Sequence, residues 1–199
     1  LHSISVPIRE KSCVPVITYN YDNEHITPYS FDVELDDNRM KAEYALSHQS
    51  AIYRITYEAD KPAYLIVNSR NGSIHANENF ISGRQQLNDN TNVYVYIEAQ
   101  EKPISAGILE NGTIETSKDN AEGANACAAW RFADGTTTVN LRYGISFISE
   151  EQAEKNLHRE LKDYNIKALA EAGRQIWNET LGRIQVEGGT EDDKTVFYS

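Results

Sequence analysis

The sequence predicts a mainly β chain: an antiparallel β-sandwich over residues 1–148, then a short helical linker over 149–199. Three observations carry this. Apolar and polar residues alternate in segment after segment through the first three quarters, the period of strands buried on one face. Turn residues, Asn-Gly and Asp-Gly among them, separate those segments at short intervals. Beyond Ser149 the apolar spacing changes to that of helices.

The elements follow in order. Tyr29, Phe31, Val33 and Leu35 alternate, and Asp36, Asp37 and Asn38 supply a turn. Met40, Ala42, Tyr44 and Leu46 form the returning strand of that hairpin. Ala51, Tyr53, Ile55 and Tyr57 give a third strand. Residues 63–67 are nearly all apolar, as in a strand covered on both faces. A weaker strand spans 74–81 and a clear one 93–99. Strands 104–109 and 113–116 flank Asn111-Gly112, and strands 124–132 and 137–147 flank Asp134-Gly135. About ten short strands without interrupting helices point to a sandwich or barrel and away from a parallel α/β sheet.

The tail is helical. Ser149 with Gln152 is a capping box, and Ala153, Leu157, Leu161 and Tyr164 share one face. Asn165 caps a second helix, whose stripe is Leu169, Ala172, Ile176, Trp177, Leu181 and Ile184. A short strand over 184–187 and a Gly188-Gly189 turn precede Thr190 and Asp193, another capping box. The third helix so begun has little length before Ser199, and isolated helices need about twelve residues. The expectation is a natural protein that continues, and one whose start at Leu1 is processed or cut.

Composition narrows the partners. A net charge of −11 argues against nucleic acid and anionic membrane surfaces, and leaves a neutral glycan open. No apolar run approaches the eighteen or so residues of a membrane span. Cys13 and Cys127 lie far apart in strand-like segments, where buried thiols are common; whether they pair is left open.

Catalytic chemistry is sparse. A glycosidase needs two carboxyl groups flanking the scissile bond. Asp36-Asp37 reads as a turn, and Glu191-Asp192-Asp193 as the acidic first turn of a helix. His2, His25, His48, His75 and His158 are dispersed without metal-site spacing, and His158 falls on the polar, solvated side of its helix. No phosphate loop, nucleophile elbow or EF-hand run is present. Among aromatics, Trp130 and Trp177 read as core. Tyr19 and Tyr21, on one face of a strand ending at a loop, are a weak hint of a site. The sequons at Asn71, Asn111 and Asn178 carry no weight.

Tyr143-Gly-Ile-Ser-Phe-Ile-Ser149, then Glu-Gln-Ala-x-x-Asn-Leu157, resembles the sandwich-to-linker passage of glycoside hydrolase family 92. Trp177-Asn-x-x-Leu-x-x-Ile184, Val186-Glu-Gly-Gly-Thr190 and Phe197-Tyr198 continue it. Tyr21-Asp-Asn-Glu24 with Pro28-Tyr-Ser-Phe-x-Val-x-Leu35 is similar to the family's early motif, and Lys41-Ala-Glu43 and Tyr53-Arg54 fit the same pattern. The likeness spans residues 15–199. It departs where the family commonly has Ser-His before the Asn-Glu and a Gly before the aromatic pair: Asn20-Tyr21 and Thr27-Pro28-Tyr29-Ser30 stand there.

The resemblance implies a galactose-mutarotase-like supersandwich leading to an (α/α)6 catalytic barrel. It implies an exo-acting, inverting, calcium-dependent α-mannosidase of the bacterial periplasm or exterior. The general acid, general base and calcium ligands belong to the barrel, so the resemblance puts no catalytic residue, metal ligand or cofactor in this chain. The implied partners are that barrel and a mannose-containing glycan, with no nucleic acid and no membrane. Asn23, Glu24 and Tyr29 are the residues it offers for substrate contact. The expected role is a non-catalytic wall of the sugar site. The alternatives are an autonomous carbohydrate-binding module and, last, a mutarotase-like epimerase.

Overall fold

The computed structural model describes residues 4–5, 21–35, 40–57, 62–88 and 90–198. Cys13, His2, Tyr19 and the turn at 36–38 lie outside them. The strands are β1 (Ile4–Ser5), β2 (Tyr21–Ile26), β3 (Ser30–Leu35), β4 (Met40–Leu46), β5 (Ser50–Thr56), β6 (Tyr64–Ala76), β7 (Ile81–Asn88), β8 (Thr91–Ala99), β9 (Ser105–Glu110), β10 (Thr113–Glu115), β11 (Asn120–Arg131) and β12 (Thr138–Ser146). The helices are α1 (Glu150–Glu160), α2 (Ile166–Leu181) and α3 (Glu191–Tyr198).

The strands pair in the order β10-β9-β11-β6-β7-β8-β12-β5-β4-β3-β2, with β1 added to β6. All the pairs are antiparallel. The path folds on itself through β6 and β11. Toward Leu65 and Trp130 this pair belongs to a layer with β9 and β1; toward Ile74 and Ala121 it joins β7 and the rest. At the bend Asn71 has φ 49°, Gly123 has φ 138°, and Gly72 lies directly opposite Gly123. The inward face of β6 changes phase there: Leu65, Val67 and Ser69 are buried before it, Gly72, Ile74 and Ala76 after it. The sandwich core between the layers holds Leu65, Val67, Ile74, Ile81, Ile97, Ile108, Ala128, Trp130, Phe132 and Leu141.

The weak strand expected over 74–81 is thus corrected. One 13-residue strand runs through to Ala76, and Ile81 opens another. The run at 63–67 is buried on both faces, as expected: Leu65 and Val67 face the core, and Ile66 joins Leu109, Cys127 and Ala129 on the reverse side. No strand forms over 184–187.

The outer face of the wider layer is covered by helices. Ala45 and Ile52 pack with Leu157, Leu161 and Ile166. Ser149 caps α1 by accepting from Gln152 N, but the Gln152 side chain turns to Asn156 Oδ1, so half of the capping box forms. Gly144 lets α1 in, since a Cβ there would overlap the Ala153 carbonyl oxygen and come within 2.9 Å of Leu157 N. The buried Asn156 amide donates to Ile145 O at 2.8 Å, tying helix to strand. His158 is not merely solvated. It lies 2.8 Å from Glu98 Oε1, while Glu98 Oε2 accepts from Arg142 Nε and Nη2 at 2.9 and 2.7 Å.

Glu160 fixes the end of α1 to the β4–β5 turn. Its carboxylate accepts from Gln49 N at 2.9 Å and Arg159 Nη2 at 2.7 Å. Burial opposes its ionisation, but these bonds and one from Ser47 prevail and hold it below the usual carboxylate range. A depressed pKa stabilises the fold above the unfolded value, about 4.3, and that contribution fades as pH falls through the folded value. In urea titrations the chain is expected to exceed Glu160→Gln in stability at pH 7 and to lose that margin in acid. A margin that grows in acid would contradict this.

Candidate functional site

The candidate residues lie on the flank formed by the β2–β3 hairpin and α2. β2 is the last of the described strands on this side of the wide layer and is exposed along its whole length. Its register shifts between Asp22, opposite Glu34, and His25, opposite Asp32. Asn23 and Glu24 therefore form a bulge opposite Val33. Asn23 takes φ 53°, which asparagine tolerates because its short side chain bonds locally. Here its Nδ2 donates to Glu34 Oε2 at 2.7 Å. Bulges re-aim side chains at sheet edges, and both Asn23 and Glu24 face solvent.

Tyr29 sits apart from them, in the turn that Thr27 builds. Thr27 Oγ1 accepts from Tyr29 N at 3.3 Å and Ser30 N at 2.9 Å. The Tyr29 Cβ packs on α2, because a Cβ on Gly173 would stand 2.6 Å from it. The structure therefore brings Asn23 and Glu24 together and gives Tyr29 a helix contact. Tyr21, the earlier hint, is 61% exposed on the same edge strand.

Gly173 also marks a change along α2. Asn165 Oδ1 caps the helix on Ala168 N at 3.1 Å, as expected. Ile166, Leu169 and Ala170 then pack against the sheet. Beyond Gly173 no described residue buries the helix's apolar stripe, and Ile176, Trp177, Leu181 and Ile184 are all exposed. Trp177, read as core, is 41% exposed, which corrects that expectation; Trp130 is fully buried and bears it out. The α3 capping box forms, with Thr190 N donating to Asp193 Oδ2 at 2.8 Å and Asp193 N to Thr190 Oγ1 at 3.1 Å. Tyr198 Oη reaches Ile184 O at 2.7 Å, yet Val196 and Phe197 stay exposed. Ile26, on the hairpin, is 67% exposed. Large contiguous apolar patches on folded chains mark contact surfaces.

The inner face of the wide layer carries a row of rings that sequence reasoning did not single out. Tyr44 and Tyr53 lie 4.7 Å apart between centroids, Tyr53 and Tyr143 5.8 Å. Tyr44 Oη and Tyr143 Oη are 3.3 Å apart. Burial, then Tyr44, pushes Tyr53 up to about 12, and burial raises Tyr143 as well. The rings serve as packing with polar tips. Among the described residues no three His, Cys, Asp or Glu side chains group as a metal site.

Comparison with known proteins now adds to the geometry. The model of the glycosyl hydrolase family 92 N-terminal domain matches residues 8–146. The model of the glycosyl hydrolase family 92 catalytic domain matches residues 152–199. An inverting GH92 mannosidase of Bacteroides thetaiotaomicron VPI-5482 is similar with TM-score 0.83 at 22% identity, over 99% of this chain and 28% of that one. A GH92 α-mannosidase of Bacteroides thetaiotaomicron gives 0.80 at 21%, over 94% of this chain and 29% of that one. An uncharacterised secreted glycosidase of Arthroderma benhamiae is 32% identical over 71 residues, 34% of this chain and 9% of that protein. The chain thus spans less than a third of each relative.

Proposed function

The chain belongs to glycosyl hydrolase family 92 and carries its N-terminal domain, and on that premise we propose that it is the non-catalytic sandwich of a secreted, inverting α-mannosidase. The observation that supports this is the uncovered apolar face of α2, which lies within the residues that match the catalytic-domain model. The half of α2 before Gly173 is seated on the sandwich, and the half beyond it is free to seat the rest of the catalytic domain. In this reading the β2–β3 hairpin forms one wall of the sugar site, with Asn23 and Glu24 presented to a mannose-containing glycan. Tyr29 sets the helix against that wall.

The acid, the base and the calcium ion are assigned to the catalytic domain. A general acid and base are needed to protonate the leaving oxygen and activate water. Localisation in the bacterial periplasm or outside the cell belongs to the same proposal. The secreted fungal relative supports an extracytoplasmic site, and none of the described helices is long and apolar enough to cross a membrane.

The test compares the 199-residue chain with a protein extended through a whole catalytic domain, on an aryl α-mannoside. The extended protein is expected to hydrolyse it and to stop when a calcium chelator is added; the chain alone is expected to be inactive. Hydrolysis by the chain alone would overturn the assignment.

A further inference from the structure

A cleft of about 330 Å³ opens between the β6–β7 turn, the β8–β9 loop and the β10–β11 loop. It lies at the opposite end of the strands from the β2–β3 turn. β8 runs from Tyr94, opposite Ser146, to Ala99, opposite Leu141, and the cleft continues from the Ala99 end. The Tyr29 turn joins the other end, where Leu46 N donates to Tyr29 O.

The cleft is lined by apolar Pro103, Ile104 and Ala106 and by charged Glu78, Lys118 and Asp119. Ile104 is 57% exposed. The β6–β7 turn is rigid, because Asn77 Oδ1 accepts from Asn79 N and Phe80 N, and Asn77 O accepts from Trp130 Nε1 at 2.7 Å. The carboxylates of Glu78, Asp119 and the adjoining Glu110 outnumber the single ammonium of Lys118. Lys118 Nζ is 2.7 and 2.9 Å from the Glu110 carboxylate oxygens, and His75 lies 3.7 Å from Asp119. Carboxylate acceptors and an ammonium donor beside aliphatic side chains suit a ligand that carries both hydroxyls and C–H groups. The volume falls in the range of small-ligand sites, roughly 300–1,000 Å³.

We propose that this cleft binds a neutral sugar, one pyranose of a glycan, through hydroxyl bonds to Glu78, Asp119 and Lys118 with its apolar face on Ile104. Glu78 and Asp119 do not form an acid–base pair. Both are exposed.

The test is a titration of the 199-residue chain with methyl α-mannopyranoside and methyl α-glucopyranoside, followed in amide nitrogen–proton NMR spectra. Saturable shifts are expected at Asn77, Glu78, Ile104, Thr116 and Lys118 with a Kd on the order of millimolar. Glu78→Gln and Ile104→Asp alter exposed loops, so the rest of the spectrum should be unchanged while affinity falls about tenfold or more. Absence of shifts up to ~100 mM sugar, or shifts confined to other residues, would overturn the proposal. So would n-butylamine binding the cleft while both glycosides fail, which would mark it as a cation site.

Discussion

A Gly72→Ala chain is expected to be destabilised by roughly 3 kcal/mol or more, at the upper end of overpacking costs, and to melt about 6–12 °C lower. The added Cβ would overlap the Arg84 carbonyl oxygen and stand 2.5 Å from Ser69 Oγ. Neither atom can yield cheaply. Ser69 is fully buried and donates to that same Arg84 oxygen at 2.6 Å. Arg84 belongs to the β6–β7 ladder, opposite Ser73. Moving the ladder disturbs the bend at which β6 leaves one layer for the other. Gly135→Ala is the control. It has φ 82° and nothing within 4 Å of a Cβ, so only the left-handed backbone penalty applies, about 1 kcal/mol. Thermal unfolding followed by circular dichroism compares the two. Equal losses would show that crowding at the bend is not what requires glycine there.

The same bend explains what could be read in the sequence and what could not. Strands β3, β4 and β5 each keep one phase of large apolar residues from end to end, so Tyr29–Leu35, Met40–Leu46 and Ala51–Tyr57 were legible. β6 changes phase between Ser69 and Gly72, and a period-2 pattern that slips reads as two segments. β7, Ile-Ser-Gly-Arg-Gln-Gln-Leu-Asn, has little apolar alternation. Its Gly83 sits where a Cβ would meet Ser73 O at 2.6 Å, and Gln85 is a buried polar residue. Helix caps at Asn165 and Thr190 were legible because the signal is local. The bulge at Asn23 and Glu24 was not, because it depends on register against β3. The cleft was missed for a related reason. Its lining comes from three separate connections, at 76–78, 103–106 and 116–119, and no spacing rule links them.

Periodicity also could not tell a stripe facing this chain's own sheet from one left open, and the two tryptophans are the sharpest case. Trp130→Ala is expected to cost about 3–5 kcal/mol, the range for a buried aromatic. It also leaves Asn77 O without its 2.7 Å donor, and with it the order of the cleft turn. Trp177→Ala should change the stability of the 199-residue chain by less than about 0.5 kcal/mol, as for a surface residue. In the extended protein the ranking should shift. If α2 seats the remaining catalytic domain, Trp177 becomes a buried interface anchor, and its truncation should cost about 2 kcal/mol or more of domain coupling. That loss would be read as a lower melting temperature and reduced mannoside hydrolysis in the extended protein alone. An extended Trp177→Ala protein indistinguishable from its parent on both counts would mean that the α2 stripe is not where the catalytic domain docks. A Trp177→Ala loss as large in the short chain would mean that the stripe is already covered within these residues.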